Sequence, residues 1–185
     1  MGDGIEHTEI ELRDSYFPFN VTLCFNAYHK ENVIEAWTVI KHSEKKPVML
    51  YNYASSHLFF QEKKYYLTQF YGEWADEMHM TEMQLTRGVK SLESKLGVRS
   101  NQHAHACFLL GLDAPAQEDA GRVVGGTLAW PGSWNLTFDV DNLDNLHVIC
   151  GINSFAGQYQ LAKGEVFETP KMLYSYSSNG TGDVT

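Results

Sequence analysis

Apolar residues recur at every second position along most of this chain, and that period belongs to strands that bury one face. In Val21–Tyr28 the side chains of Val21, Leu23, Phe25 and Ala27 share one face. The run from Val33 to Lys41 is apolar on both faces around Trp37, which predicts a central strand covered on both sides, with Trp37 in the core. Further strands are expected over 48–53, 56–60, 65–71, 106–112, 122–130, 134–140, 146–152 and 166–176. Polar clusters at His29–Asn32, Lys41–Pro47, Asp141–Asn145 and Ala162–Glu165 supply turns between them. Pro170 has no amide hydrogen to give a ladder, so the last run is expected to be an edge strand or to bend there.

One stretch breaks the pattern. Between Gly72 and Gly97 the methionines Met78, Met80 and Met83 fit no single period, and an extended excursion is expected. About ten short strands, with turns every 8–12 residues or so, predict an all-β antiparallel β-sandwich. Residues 9–177 are assigned to that sandwich, 1–8 to a disordered or partial N-terminal edge, and 178–185 to a tail of loop composition.

Charge narrows the partners. With 23 acidic against 14 basic residues the chain carries a formal −9, which leaves no basic surface for nucleic acid or an anionic bilayer. No apolar run reaches the ~18 residues of a membrane-spanning helix. The opening Met1–His7 is polar and acidic, unlike a secretory leader. Cys24, Cys107 and Cys150 are odd in number and sit in apolar strand-like runs, so they are read as reduced core thiols, in keeping with a cytoplasmic setting. His103 and His105, two apart, lack a third ligand in pattern; neither a metal nor a cofactor is expected. Arg99 is expected to pair with one of the surplus carboxylates.

The motifs carry more than the composition does. Tyr71–Ala75 (YGEWA), followed by Leu85–Arg99 (LTRGVKSLESKLGVR), resembles the G-x-W … L-T-x-G-x-K-x-L-x-S-x-x-G-x-R stretch of the α-galactosidases of glycoside hydrolase family 36. Gly125–Trp134 (GGTLAWPGSW) is similar to the family's G-x-L-A-W-S-G-N-W, and Gly151–Phe155 (GINSF) to its G-I-N-P-F. Glu165–Tyr176, with Phe167–Pro170 as FETP, resembles its E-x-F-x-T-P strand. These segments occur in the family's order. Pro131 and Ser133 stand where the family has Ser and Asn, Ser154 where it has Pro, Gly157–Gln158 where it has D-F-x-W, and Asn101 where a His is common.

The resemblance implies an N-terminal β-supersandwich, of galactose-mutarotase-like fold, of which this chain is the second part. In the family that domain packs on a (β/α)8 barrel, which carries the nucleophile in a K-W-D motif, and the enzymes commonly form tetramers. Neither the K-W-D triplet nor the glycine-rich barrel loop occurs here, so no catalytic residue is assigned. A retaining glycosidase needs two carboxyl groups about 5–5.5 Å apart; neighbours such as Asp76–Glu77 and Glu118–Asp119 point apart on a strand or loop and are read as solvated surface.

By the same resemblance the parent would remove terminal α-linked galactose from melibiose- or raffinose-type sugars, and Trp74 would border the galactose pocket, stacking on the sugar and donating one hydrogen bond. Trp130 and Trp134 are secondary candidates: one packs under the Pro131–Gly132 turn and the other faces the barrel, or both pack at the domain interface. From another class, a free-standing carbohydrate-binding or oligomer-contact module remains open.

Overall fold

The structure is a computed structural model in which residues 4–100, 103–155 and 157–184 are described. The strands in chain order are β1 (Ile5–Arg13), β2 (Phe19–Tyr28), β3 (Val33–His42), β4 (Val48–Leu50), β5 (Ser56–Phe60), β6 (Tyr65–Glu73), β7 (Asp76–Gln84) and β8 (Gly88–Ser94). They continue with β9 (Ala104–Leu112), β10 (Arg122–Leu128), β11 (Trp134–Val140), β12 (Leu146–Ile152), β13 (Tyr159–Leu161), β14 (Val166–Glu168) and β15 (Met172–Ser177). A nine-stranded sheet runs β1-β2-β3-β15-β10-β9-β6-β7, with β14 also paired to β3. A four-stranded sheet, β5-β12-β11-β8, and a two-stranded one, β13-β4, complete the architecture. The strand pairs are antiparallel, as the sequence predicts.

The core lies between the two larger sheets, where the inward alternation of each meets the other. Leu67, Phe108, Leu110 and Met172 of the large sheet belong to one buried cluster with Trp134, Leu136, Phe138 and Val148 of the four-stranded sheet. Phe108 and Phe138 meet edge to face at 5.0 Å between centroids. Room for that pair comes from Gly126, where an added Cβ would stand 2.5 Å from the Phe108 ring. A second cluster of Ile40, Leu50, Leu161 and Phe167 fills the space under the small sheet.

Several expectations change. The break at Gly72–Gly97 resolves into the end of the hairpin β6–β7 and the strand β8. Strand β1 runs unbroken from Ile5 to Arg13 across the boundary placed at residue 9, as an edge strand exposed on both faces. Residues 178–184 do not run free: Gly180 and Thr181 donate to the carbonyls of Gly121 and Gln117, tying the segment back onto the loop before β10.

Trp37 is not core. Ala36, Thr38 and Ile40 are the inward residues of β3, and Trp37 sits half-buried on the opposite face, its ring 4.8 Å from the Lys171 ammonium. That face is covered by long polar side chains: Glu35 accepts from Asn26, Tyr28 and Lys171 there. Arg99 lies exposed in the 3-10 turn Gly97–Arg99, outside every ion pair among the described residues. The thiols are free, with Cys24 and Cys150 buried and Cys107 half-buried. Asn101 lies outside the described residues.

Candidate functional site

The hairpin β6–β7 places Trp74 at its tip. Glu73 pairs with Asp76, leaving Trp74 and Ala75 as the turn, and Ala75 takes a left-handed φ of 64°. Below the tip the register shifts by one residue between Tyr71 and Glu73, so Gly72 faces both Glu77 and Met78. A side chain at 72 would not fit, since its Cβ would lie 2.7 Å from the Asp76 carbonyl oxygen. Met78 is itself left-handed, with φ 61°. This bulge twists the hairpin end away from the sheet plane and accounts for the aperiodic methionines. Beyond it, Met83 turns inward onto the core while Met78 and Met80 stay exposed.

The tip is solvated and acidic. Trp74 is 91% exposed, the extreme opposite of a core indole. Around it stand Glu73, Asp76 and Glu77, and the Asp76 carboxylate accepts from His79 Nε2 at 2.7 Å. Tyr71 lies against the His79 ring at 5.6 Å, which braces one side of the stem. Sequence reasoning did not single out His79 or Tyr71; the three-residue spacing of Asp76 and His79 was the available signal.

The other two tryptophans are placed differently. Trp134 is fully buried in the main core, so neither face of its indole is available to stack on a sugar, and it is corrected from a substrate-facing candidate to a core residue. Its alternation with Leu136, Phe138 and Val140 is the reason: all four share the inward face of β11. Trp130 is half-buried, packs against the same core and folds back over the Pro131–Gly132 turn. The structure therefore brings neither of them to the Trp74 tip.

A glycosidase acid has its pKa raised. Among the described residues each carboxyl with a resolved shift is held below its ordinary value. For Asp141 the cause is the Asn145 side chain and amide; for Asp144 it is the Arg87 guanidinium; for Asp113 it is first the Lys63 amide and then Arg122. Arg122 binds Glu62 through two nitrogens at 2.8 Å and Asp113 at 2.7 Å. Among the described residues no group of three or more His, Cys, Asp or Glu side chains is placed to hold a metal ion.

Comparison with known proteins agrees with the motif reading. The model of the glycosyl hydrolase family 36 N-terminal domain matches residues 1–162. Alpha-galactosidase AgaA of Geobacillus stearothermophilus is 30% identical over 175 residues, which are 95% of this chain and 24% of AgaA. The bifunctional alpha-galactosidase/sucrose kinase AgaSK of Mediterraneibacter gnavus is 26% identical, over 93% of this chain and 18% of its own length. Among solved structures, the family 36 alpha-galactosidase AgaB of Geobacillus stearothermophilus superposes with a TM-score of 0.91 at 29% identity, covering 97% of this chain and 25% of AgaB. Variants of AgaA have been solved in complex with stachyose and with raffinose. The chain thus spans about a quarter of the length of the relatives it matches.

Proposed function

The chain belongs to the glycosyl hydrolase family 36 N-terminal domain family, and from that membership we propose that it is the non-catalytic β-domain of a retaining α-galactosidase. In this reading the parent removes terminal α-linked galactose from melibiose- or raffinose-type sugars. The domain packs on the catalytic barrel of the same chain, and its hairpin tip helps to shape the sugar pocket. One observation carries the reading: Trp74 is 91% exposed on a bulged hairpin that projects it away from the domain core. Fold stability gives no reason to keep an indole there, whereas an apolar ring with one N–H donor suits the mixed surface of a hexose.

A second reading is favoured by β1, an edge strand of nine residues whose outer backbone groups have no partner strand among the described residues. Such an edge is a template for pairing and would suit a contact between subunits of a homo-oligomeric parent. The test of the main reading is an assay of the purified chain with p-nitrophenyl α-galactoside. Turnover at the blank rate is expected. Saturable hydrolysis that a substitution within this chain abolishes would overturn the proposal.

A further inference from the structure

The outer face of the large sheet, turned away from the four-stranded one, carries a groove of about 310 Å³ that runs across β3, β15, β10, β9 and β6. Val33, Leu173, Leu109, Cys107 and Phe70 line it, and among the described residues no charged side chain does. Cys107 and Leu109 alternate with the buried Phe108 and Leu110, so these apolar side chains belong to the outward face. An antiparallel sheet that meets water on one face is ordinarily polar there. With no charge and few hydroxyls the groove suits neither an ion nor a sugar; it suits apolar side chains.

One end of the groove is already filled by the chain itself. Gly125 lies in the middle strand, and a Cβ added there would stand 3.6 Å from Leu109 Cδ2 and 3.6 Å from Val184 Cβ. Val184 is therefore seated over the glycine, half-buried. The turn before it is pinned: Gly180, Thr181 and Gly182 donate to the carbonyls of Gly121, Gln117 and Glu118, and the Ser177 hydroxyl donates to Asp183. The sheet thus delivers the backbone at Val184 into the groove. An apolar cavity of about 150 Å³ holds one benzene ring, so this volume takes about two large apolar side chains. The family matched is that of an N-terminal domain, and this chain spans about a quarter of its relatives.

We propose that the stretch following Val184 in the parent enzyme lies along this groove and fills it with apolar side chains, as a third layer over the large sheet. The inference rests on the reading of this chain as the N-terminal part of a longer α-galactosidase. Five strands make four spacings of about 4.8 Å, or about 19 Å, which about 6 extended or 13 helical residues cover. A segment tethered at Val184 starts at high effective concentration, so modest apolar contacts hold it in place.

The test compares the thiols of this chain with the same thiols in the parent enzyme. Cys107 lines the groove and is half-buried, whereas Cys24 and Cys150 are buried. A thiol-reactive dye with peptide mapping should label Cys107 before the other two in the folded 185-residue chain. In the folded parent the same thiol should react about tenfold more slowly or less, because the dye must wait for the segment to lift. Thr127→p-benzoylphenylalanine puts a photo-cross-linker at the exposed cross-strand neighbour of Cys107. In the parent its cross-link should map to the first stretch of about 15 residues after Val184. Neither readout uses galactoside turnover, so a parent without α-galactosidase activity fails the assay above and leaves both readouts intact. The inference is overturned if Cys107 reacts at the same rate in both proteins, if the cross-link maps to another part of the parent or to a second subunit, or if none forms.

Discussion

Replacing Trp74 by alanine in the α-galactosidase that carries this domain separates packing from recognition. An indole that is 91% exposed has about a tenth of its surface against protein. For a side chain that buries up to about 250 Å² this is roughly 25 Å², or about 0.6 kcal/mol at 25 cal/mol per Å². The melting temperature should therefore move by only a few degrees. Loss of one stacking face and one hydrogen bond to sugar costs about 1–3 kcal/mol, which is a fall in kcat/KM of roughly 5- to 150-fold, partly as raised KM. The control is Phe138→Ala, because Phe138 is fully buried where Trp37 is not; truncating it should cost about 3–5 kcal/mol of stability. Initial rates with raffinose, beside urea unfolding of each variant, make the comparison. An unchanged kcat/KM in a folded Trp74→Ala enzyme refutes the pocket role, and a melted domain refutes the packing argument.

Three further outcomes follow from the packing and the charges. Gly126→Ala should destabilise the chain by about 1–3 kcal/mol in urea unfolding, because its Cβ would meet the Phe108 ring at 2.5 Å and Met172 Cε at 3.0 Å. The carboxyls of Asp113, Asp141 and Asp144 are lowered in the fold, so the unfolded chain takes up their protons first. Their contribution is complete above the ordinary aspartate range and is lost as pH falls from there through the lowered folded values; urea midpoints between pH 7 and pH 3 should fall, and less steeply in Asp141→Asn. Burial pushes the Cys150 thiol up to about 12, so at pH 8 a thiol-reactive dye should label it only once the chain is unfolded.

What the sequence made legible depended on how each strand is covered. Trp134–Val140 and Leu146–Ile152 were bounded to the residue because each alternates buried with half-exposed positions and the Asp141–Asn145 turn lies between them. Strand β7 was not legible: it is an edge strand exposed along most of its length, and the bulge at Met78 resets its phase midway. Strand β1 fails for the first of those reasons. Trp37 misled because an apolar pattern cannot distinguish cover by a second sheet from cover by Glu35 of the same strand and Lys171 just before β15. At the site, the glycine and charges flanking Trp74 did announce an exposed loop. Trp134 was kept as a secondary candidate although its phase, in step with Leu136 and Phe138, already placed it on the inward face of β11.

Strand β15 lies between β3 and β10 and is hydrogen-bonded to both. Remove it, and the large sheet falls into two pieces, β1-β2-β3 and β10-β9-β6-β7, whose internal pairings are each closer in sequence. During synthesis both pieces can pair internally while the ribosome is still at work, and β14 can cover the Val39–Lys41 end of the β3 edge, yet nothing joins the two pieces until residues 172–177 have emerged. Joining them closes a loop of more than a hundred residues, since Met172 must find Ala36, and late non-local pairing of this kind slows folding and leaves strand edges open meanwhile. A nascent chain stalled before Met172 thus holds the inner edge of β10 and the Val33–Ala36 part of the β3 edge without their β15 partner for the duration of the stall. It is a better substrate for a chaperone, or for another copy of itself, than the finished domain will ever be.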